Sequence, residues 1–177
     1  KQIINQMHWK YQGAASGDFA FHQDSRFRKP ETAYQDLAGS YIQTGLAIDR
    51  HAPESGGMSF IRGSHNHGEI NMRIHGAVME NNMSDGALIA AGLDPADRIE
   101  VVLEPGDLAL WHIHLVHGSG ANHETHQRRL YINGYVRADN CSRGELTFCD
   151  GTSVPLGDVP SMVHYEQLYK NPDPHFV

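Results

Sequence analysis

Cysteine is scarce in this 177-residue chain. Cys141 and Cys149 are too few for a disulfide scaffold or a thiolate zinc site, and in a domain of this size their expected role is packing. Long hydrophobic runs are missing too: no apolar stretch approaches the roughly 20 residues of a membrane helix, and no charged-then-apolar leader opens the sequence. Positive charge is in deficit. With 14 Lys and Arg against 21 Asp and Glu the formal net charge is −7, and no basic run is dense enough to follow a phosphate backbone. These absences argue against a membrane protein, a nucleic-acid binder and a disulfide-stapled module. They leave a cytoplasmic globular domain as the expectation, with enough apolar residues, 40% of the chain, for a core. Nothing in the sequence sets its oligomeric state.

What is present is a series of short apolar and aromatic runs broken by turn residues, with no sustained period of 3.6 and no internal repeat. Residues 19–24, 41–49 and 57–61 read as strands, and so do 100–103, 108–113 and 130–137. Between them, 62–97 is a long excursion rich in Gly, Asn, His and Met, with helical character only over 85–93; its expected role is a lid across one face. From residue 139 to 177 periodicity fades and the chain should wrap the surface. This pattern predicts one mainly β domain over residues 1–177, a double-stranded β-helix or cupin-like jelly roll with few helices.

Histidine is abundant, with 13 residues. On a strand, His22 and Asp24 at i and i+2 would share a face and could hold one ion. Such a pair is weak alone, because 13 His and 12 Asp in 177 residues give about one by chance. His112 and His114 also share a parity, and with the preceding Gly106 they look like the opening of a cupin metal motif. The Glu that should follow is absent. His117 is better supported by what comes after it: if its strand and the next pair as a hairpin, Arg128 returns alongside and points a guanidinium into the cavity. An arginine fork suits a carboxylate held near an ion. Ser119 could add a hydroxyl, while Arg129, of opposite parity, faces outward.

Taken together, His22-Gln-Asp24, GGMSFIRGSHNHG at 56–68 and EPGDLALWHIHLVHGSGANHETHQRR at 104–129 resemble the phytanoyl-CoA dioxygenase branch of the Fe(II)/2-oxoglutarate dioxygenases. The likeness spans about residues 19–137 in three ordered motifs. It implies that His22, Asp24 and His117 are catalytic metal ligands. It implies that Arg128, eleven residues after His117, grips the far carboxylate of 2-oxoglutarate with support from Ser119. Phe19 matches a wall of the cosubstrate pocket, and Gln43 or Thr44, of opposite parities, could meet the near carboxylate. Implied cofactors are Fe(II), 2-oxoglutarate and O2, and the implied partner is a small-molecule substrate. The sequence departs from the family at Arg62, where Pro is usual, and in having only 21 residues before His22, which implies that N-terminal elements are missing.

The expected activity is therefore an Fe(II)/2-oxoglutarate-dependent oxygenase hydroxylating a small molecule, with release of succinate and CO2. Arg26 and Arg28 follow the His-x-Asp; if they face the pocket, they favour a polar or anionic substrate. Two other readings compete. One is a cupin-type isomerase or 2-oxoglutarate-independent dioxygenase using His112 and His114. The other is a binding module with a vestigial metal site, which Arg128 argues against.

Overall fold

In the computed structural model, which describes residues 1–12, 19–28, 31–70, 72, 84–142, 148–149 and 151–154, the chain runs through β1 (Gln2–Lys10), β2 (Phe19–His22), β3 (Tyr41–Ala47), β4 (Met58–Ile61), β5 (Arg98–Glu100), β6 (Leu108–His112), β7 (His117–Ser119), β8 (Arg128–Val136), β9 (Phe148–Cys149) and β10 (Thr152–Ser153). Strands β1-β8-β3-β6 form one four-stranded sheet and β2-β7-β4-β5 another, with β9 and β10 as a small ribbon. Neighbours pair antiparallel throughout. The expected jelly-roll arrangement of two antiparallel sheets with few helices holds.

Strand β8 shows why the sheets face each other. Arg128, Leu130, Ile132 and Val136 are buried, while the alternating Arg129, Tyr131 and Tyr135 are only partly so. Leu130 and Ile132 join Ile4 of β1 and Trp111 of β6 in a cluster with Met58 of β4, so the two sheets meet through this layer. Each large aliphatic side chain buried there contributes about 1.5–3 kcal/mol. Gly134 on the same face leaves room for Tyr41, because a Cβ at that position would collide with the Tyr41 hydroxyl. The second sheet is covered on its other side by the helix Asp85–Ala90, whose Leu88 packs with Phe21, Ile61 and Val116. On the outer face of the first sheet Met7, Trp9, Ile42, Leu108 and Leu110 remain exposed.

Several sequence expectations shift. The predicted strand 19–24 ends at His22, and Asp24 opens a 3-10 turn, Asp24–Phe27. Strand β1 was not foreseen; it pairs with β8 along its length. The predicted hairpin of the His117 and Arg128 strands does not form: β7 pairs with β2 and β4, whereas β8 pairs with β1 and β3. The connection between them therefore crosses from one sheet to the other, and the buried Asn122 amide secures it by donating to the Lys10, Tyr11 and His126 carbonyls at 3.3, 3.3 and 2.8 Å. At the ends of the 62–97 excursion Arg62 N–H donates to the Asp97 carbonyl at 2.9 Å, but 73–83 lie outside the described residues, as does most of the expected wrapping segment beyond 154.

Arg129 faces outward as expected and makes a two-pronged pair with Asp49, Nε to Oδ2 and Nη2 to Oδ1 at 2.8 Å each, while its backbone N–H donates to Oδ2 at 2.9 Å. These bonds hold the Asp49 carboxyl below its usual range. We expect Asp49→Asn to lower the denaturant midpoint by a small amount, because the pair is partly open to solvent and screened. Because the folded pKa is depressed, this stabilisation is present above the unfolded value near 4 and is lost as pH falls through the folded one. The difference between wild type and variant should therefore shrink in acid.

Candidate metal centre and cosubstrate cavity

Strands β2 and β7 place His22 directly opposite His117, and the following turn brings Asp24 to both. Asp24 Oδ1 lies 3.8 Å from His22 Nε2 and Oδ2 lies 3.6 Å from His117 Nε2. One ligand atom from each residue falls within 4.8 Å of the others, as a shared ion requires. The tautomers are set locally. Nδ1 of His22 is 2.7 Å from the Ala20 carbonyl and Nδ1 of His117 is 2.9 Å from the Leu115 carbonyl. A carbonyl can only accept, so each Nδ1 carries the proton and each Nε2 presents its lone pair to the centre. Two neutral imidazoles and one carboxylate that leave one side open form a donor set suited to Fe(II).

For His22, electrostatics agree with the neutral state. Burial, together with the neighbouring His117, pushes the His22 imidazole down to about 3. Burial opposes ionisation of Asp24, yet its carboxyl is held below the usual range, and with both imidazoles neutral the Arg28 guanidinium and the Trp111 N–H are the groups that favour the anion. Trp111 Nε1 donates to Asp24 Oδ2 at 3.1 Å. Replacing Trp111 by Phe keeps most of the packing and removes that donor, so we expect about a tenfold loss of Fe(II) affinity in anaerobic titration. The residue between His22 and Asp24 anchors the backbone on both sides. Gln23 Nε2 donates to the Gly68 and His114 carbonyls at 2.8 and 2.7 Å, and its Oε1 accepts from Ile70 N–H at 2.7 Å. This clamp fixes the turn that carries Asp24.

The other sheet supplies positive charge. Arg128 is 2% exposed; Nη2 donates to the Gly56 carbonyl, Nε has no partner, and no carboxylate pairs with it among the described residues. Burial lowers its pKa to about 10, so it stays cationic at neutral pH. Directly across the β1-β8 ladder stands Lys10, also buried, whose Nζ donates to Ser119 Oγ at 2.8 Å and to the Gly120 carbonyl. Ser119 faces Phe19 in the β2-β7 register, and the Phe19 ring stacks on His8 with centroids 5.3 Å apart. Nearby His51 accepts from Met58 N–H at 2.6 Å. Burial first, then Arg128 and Lys10, drive it down to about 3, so it adds no charge. A buried, unpaired guanidinium is costly and calls for an anionic ligand.

Of the two candidates on β3, Gln43 stands opposite Trp111 and Gly134 on the interior face. Its Oε1 accepts from Tyr41 Oη at 2.5 Å and from Arg28 Nη2 at 3.4 Å, which turns the amide nitrogen toward the cavity. Thr44 has the opposite parity: it shares its face with the exposed Ile42 and Leu110, and Oγ1 donates to the Asn133 carbonyl at 3.3 Å. It is therefore removed from the cosubstrate set. His112 is committed as well, with Nε2 3.0 Å from the Ala38 carbonyl and Nδ1 accepting from His114 N–H at 3.1 Å. Neither it nor His114 joins a cluster of three possible ligands among the described residues. Sequence reading missed Lys10, Tyr41 and Trp111 as participants. Only the alternation of Ile4, Gln6, His8 and Lys10, all on the β1 face that meets the interior of β8, could have signalled the first.

Known proteins resemble the chain in sequence and in fold. A probable alpha-ketoglutarate-dependent hypophosphite dioxygenase of Stutzerimonas stutzeri is 28% identical over 128 residues, covering 67% of this chain and 40% of that protein. Dioxygenase lolE1 of Epichloe uncinata is 31% identical over 107 residues, 60% of this chain and 37% of the relative. The chain thus spans well under half the length of both. Among solved structures, the non-heme monooxygenase ThoJ superposes with a TM-score of 0.58 at 22% identity, over 76% of this chain and 45% of that one, a likeness of fold. The model of the phytanoyl-CoA dioxygenase (PhyH) family matches residues 2–130, which run from β1 through the metal cluster to the strand bearing Arg128. The chain belongs to that family.

Proposed function

We propose that this chain is a non-haem Fe(II)- and 2-oxoglutarate-dependent oxygenase that hydroxylates a polar or anionic small molecule. The observation that carries the reading is the pairing of the His22-Asp24-His117 cluster with the buried, unpaired Arg128 on the facing sheet. Fe(II) would be held by His22 Nε2, Asp24 and His117 Nε2. Iron with 2-oxoglutarate and O2 supplies the oxidation, with succinate and CO2 released. The rest falls to the chain's own groups. Arg128 and Lys10 neutralise the far carboxylate, with Ser119 Oγ beside them, and Phe19 walls that end. Gln43 Nε2 donates to the near carboxylate, its amide held by Tyr41 and Arg28. Trp111 orients Asp24, and the Nδ1 protons of both histidines stay on backbone carbonyls. No side chain has to act as a general base, which matches two imidazoles kept neutral for ligation. The hypophosphite dioxygenase by name acts on a small anion, which agrees with the substrate class proposed here.

The test is an anaerobic titration with Fe(II) and 2-oxoglutarate, followed by succinate measurement in air. A weak visible charge-transfer band that saturates at one equivalent, then substrate-stimulated succinate release, is the expected outcome. Metal binding without the band and without succinate would overturn the reading.

A further inference from the structure

Beside Asp24 lies a second polar site that the metal and cosubstrate do not account for. A pocket of about 120 Å³ is lined by Ser25, Arg28, Glu31, Tyr34, Leu37 and Glu69. We propose that it receives the carboxylate of the oxidised substrate, with Arg28 as counter-charge and Ser25 Oγ as a second donor, an assignment that rests on the oxygenase reading above. The substrate class is thereby narrowed to small molecules with one carboxylate and a neutral or cationic remainder.

Arg28 is the main support. It is 2% exposed and no carboxylate pairs with it among the described residues. Its Nε donates to Tyr41 Oη at 3.1 Å, Nη2 reaches Gln43 Oε1 at 3.4 Å, and the guanidinium lies over the Tyr41 ring, 5.1 Å from the centroid. A guanidinium has five N–H groups, and these contacts use two of them; Nη1 donates to no described residue. A buried cation that keeps a free edge toward a cavity is suited to a two-oxygen anion. Arg26, by contrast, stacks over Phe27 at 5.1 Å and does not line the pocket.

Ser25 is the independent second observation. Its hydroxyl is buried and has no hydrogen-bond partner, although it lines the same pocket. A buried orphan hydroxyl costs free energy that a ligand oxygen would recover. The charge layout then limits what can enter. Glu69 is exposed on the same pocket, so negative charge stands beside a buried wall that is positive. A diphosphate or a second carboxylate would meet that residue with like charge, whereas an amine or a neutral ring would not. Location ties the pocket to the chemistry: Asp24 and Ser25 belong to one 3-10 turn that Arg28 closes.

The experiment is ligand-observed NMR on the metal-free full chain, with acetate, glycine, proline and pyroglutamate at millimolar concentration, each beside its primary amide. At least one acid should bind about tenfold more tightly than its amide, and Arg28→Gln should erase that preference. Ser25→Ala leaves the Arg28-Tyr41 contact in place, so it serves if Arg28→Gln fails to fold; it should weaken the acids about threefold and the amides little. The proposal is overturned if no acid binds, if acid and amide bind equally, or if the preference survives Arg28→Gln. It is also overturned if Arg128→Ala removes the preference while Arg28→Gln does not, because the acids would then occupy the cosubstrate cavity. Failure of the oxygenase reading shows separately, as a missing charge-transfer band in the anaerobic titration.

Discussion

Asp24→Ala should abolish stoichiometric Fe(II) binding, beyond the about 10–100-fold that loss of a supporting hydrogen-bond partner costs. Asp24 supplies the only carboxylate in the cluster, and without it two neutral imidazoles would have to hold a dication alone. His117→Ala should have a similar effect, since its Nε2 is one of the two nitrogens aimed at the centre. His112→Ala is the informative contrast. Its ring serves the Ala38 carbonyl and the His114 N–H, so metal binding should survive and only local stability should fall. Anaerobic titration of the three variants, with circular dichroism as a folding control, decides the matter. Loss of metal in His112→Ala with retention in His117→Ala would restore the cupin-type assignment.

For Arg128→Ala the expected loss is in cosubstrate affinity, with Fe(II) binding alone little changed. Truncating one side of a buried, hydrogen-bonded charge pair costs about 2–5 kcal/mol, so the 2-oxoglutarate dissociation constant should rise between about 30-fold and several thousandfold. Arg128→Lys should recover part of this, because an ammonium restores charge but not the planar fork. Arg128→Met adds a stability readout. Without ligand, the wild type keeps an unpaired cation in its core, and an apolar replacement of similar length removes that penalty. The metal-free Met variant should therefore melt higher than wild type while failing to bind 2-oxoglutarate. Unchanged cosubstrate affinity in all three variants would remove Arg128 from the site.

Features set by short spacings were legible in the sequence. His22 and Asp24 are two residues apart, and the structure sets both beside His117. What failed to show was partner choice. The eight residues from Gly120 to Gln127 could equally close a wide hairpin or pass between sheets, and the tertiary contacts of Asn122 select the second. Lys10 was invisible for a related reason: its strand gains meaning only by pairing with β8, more than a hundred residues later in the chain. The choice between Gln43 and Thr44 turned on which face of β3 meets Trp111, a fact fixed by its neighbours β6 and β8 and not by its own residues.

The crossing of the β7-β8 connection also divides the labour of the cavity. His22 and His117 ride on the sheet β2-β7-β4-β5, with Asp24 on the turn after β2, while Lys10, Arg128 and Gln43 ride on β1-β8-β3-β6. A bound 2-oxo acid would thus act as a bolt between the two plates, each of which contributes groups to it. The same bolt couples ligand occupancy to cohesion of the whole barrel by mass action, so a saturating cosubstrate should slow the opening of both sheets together.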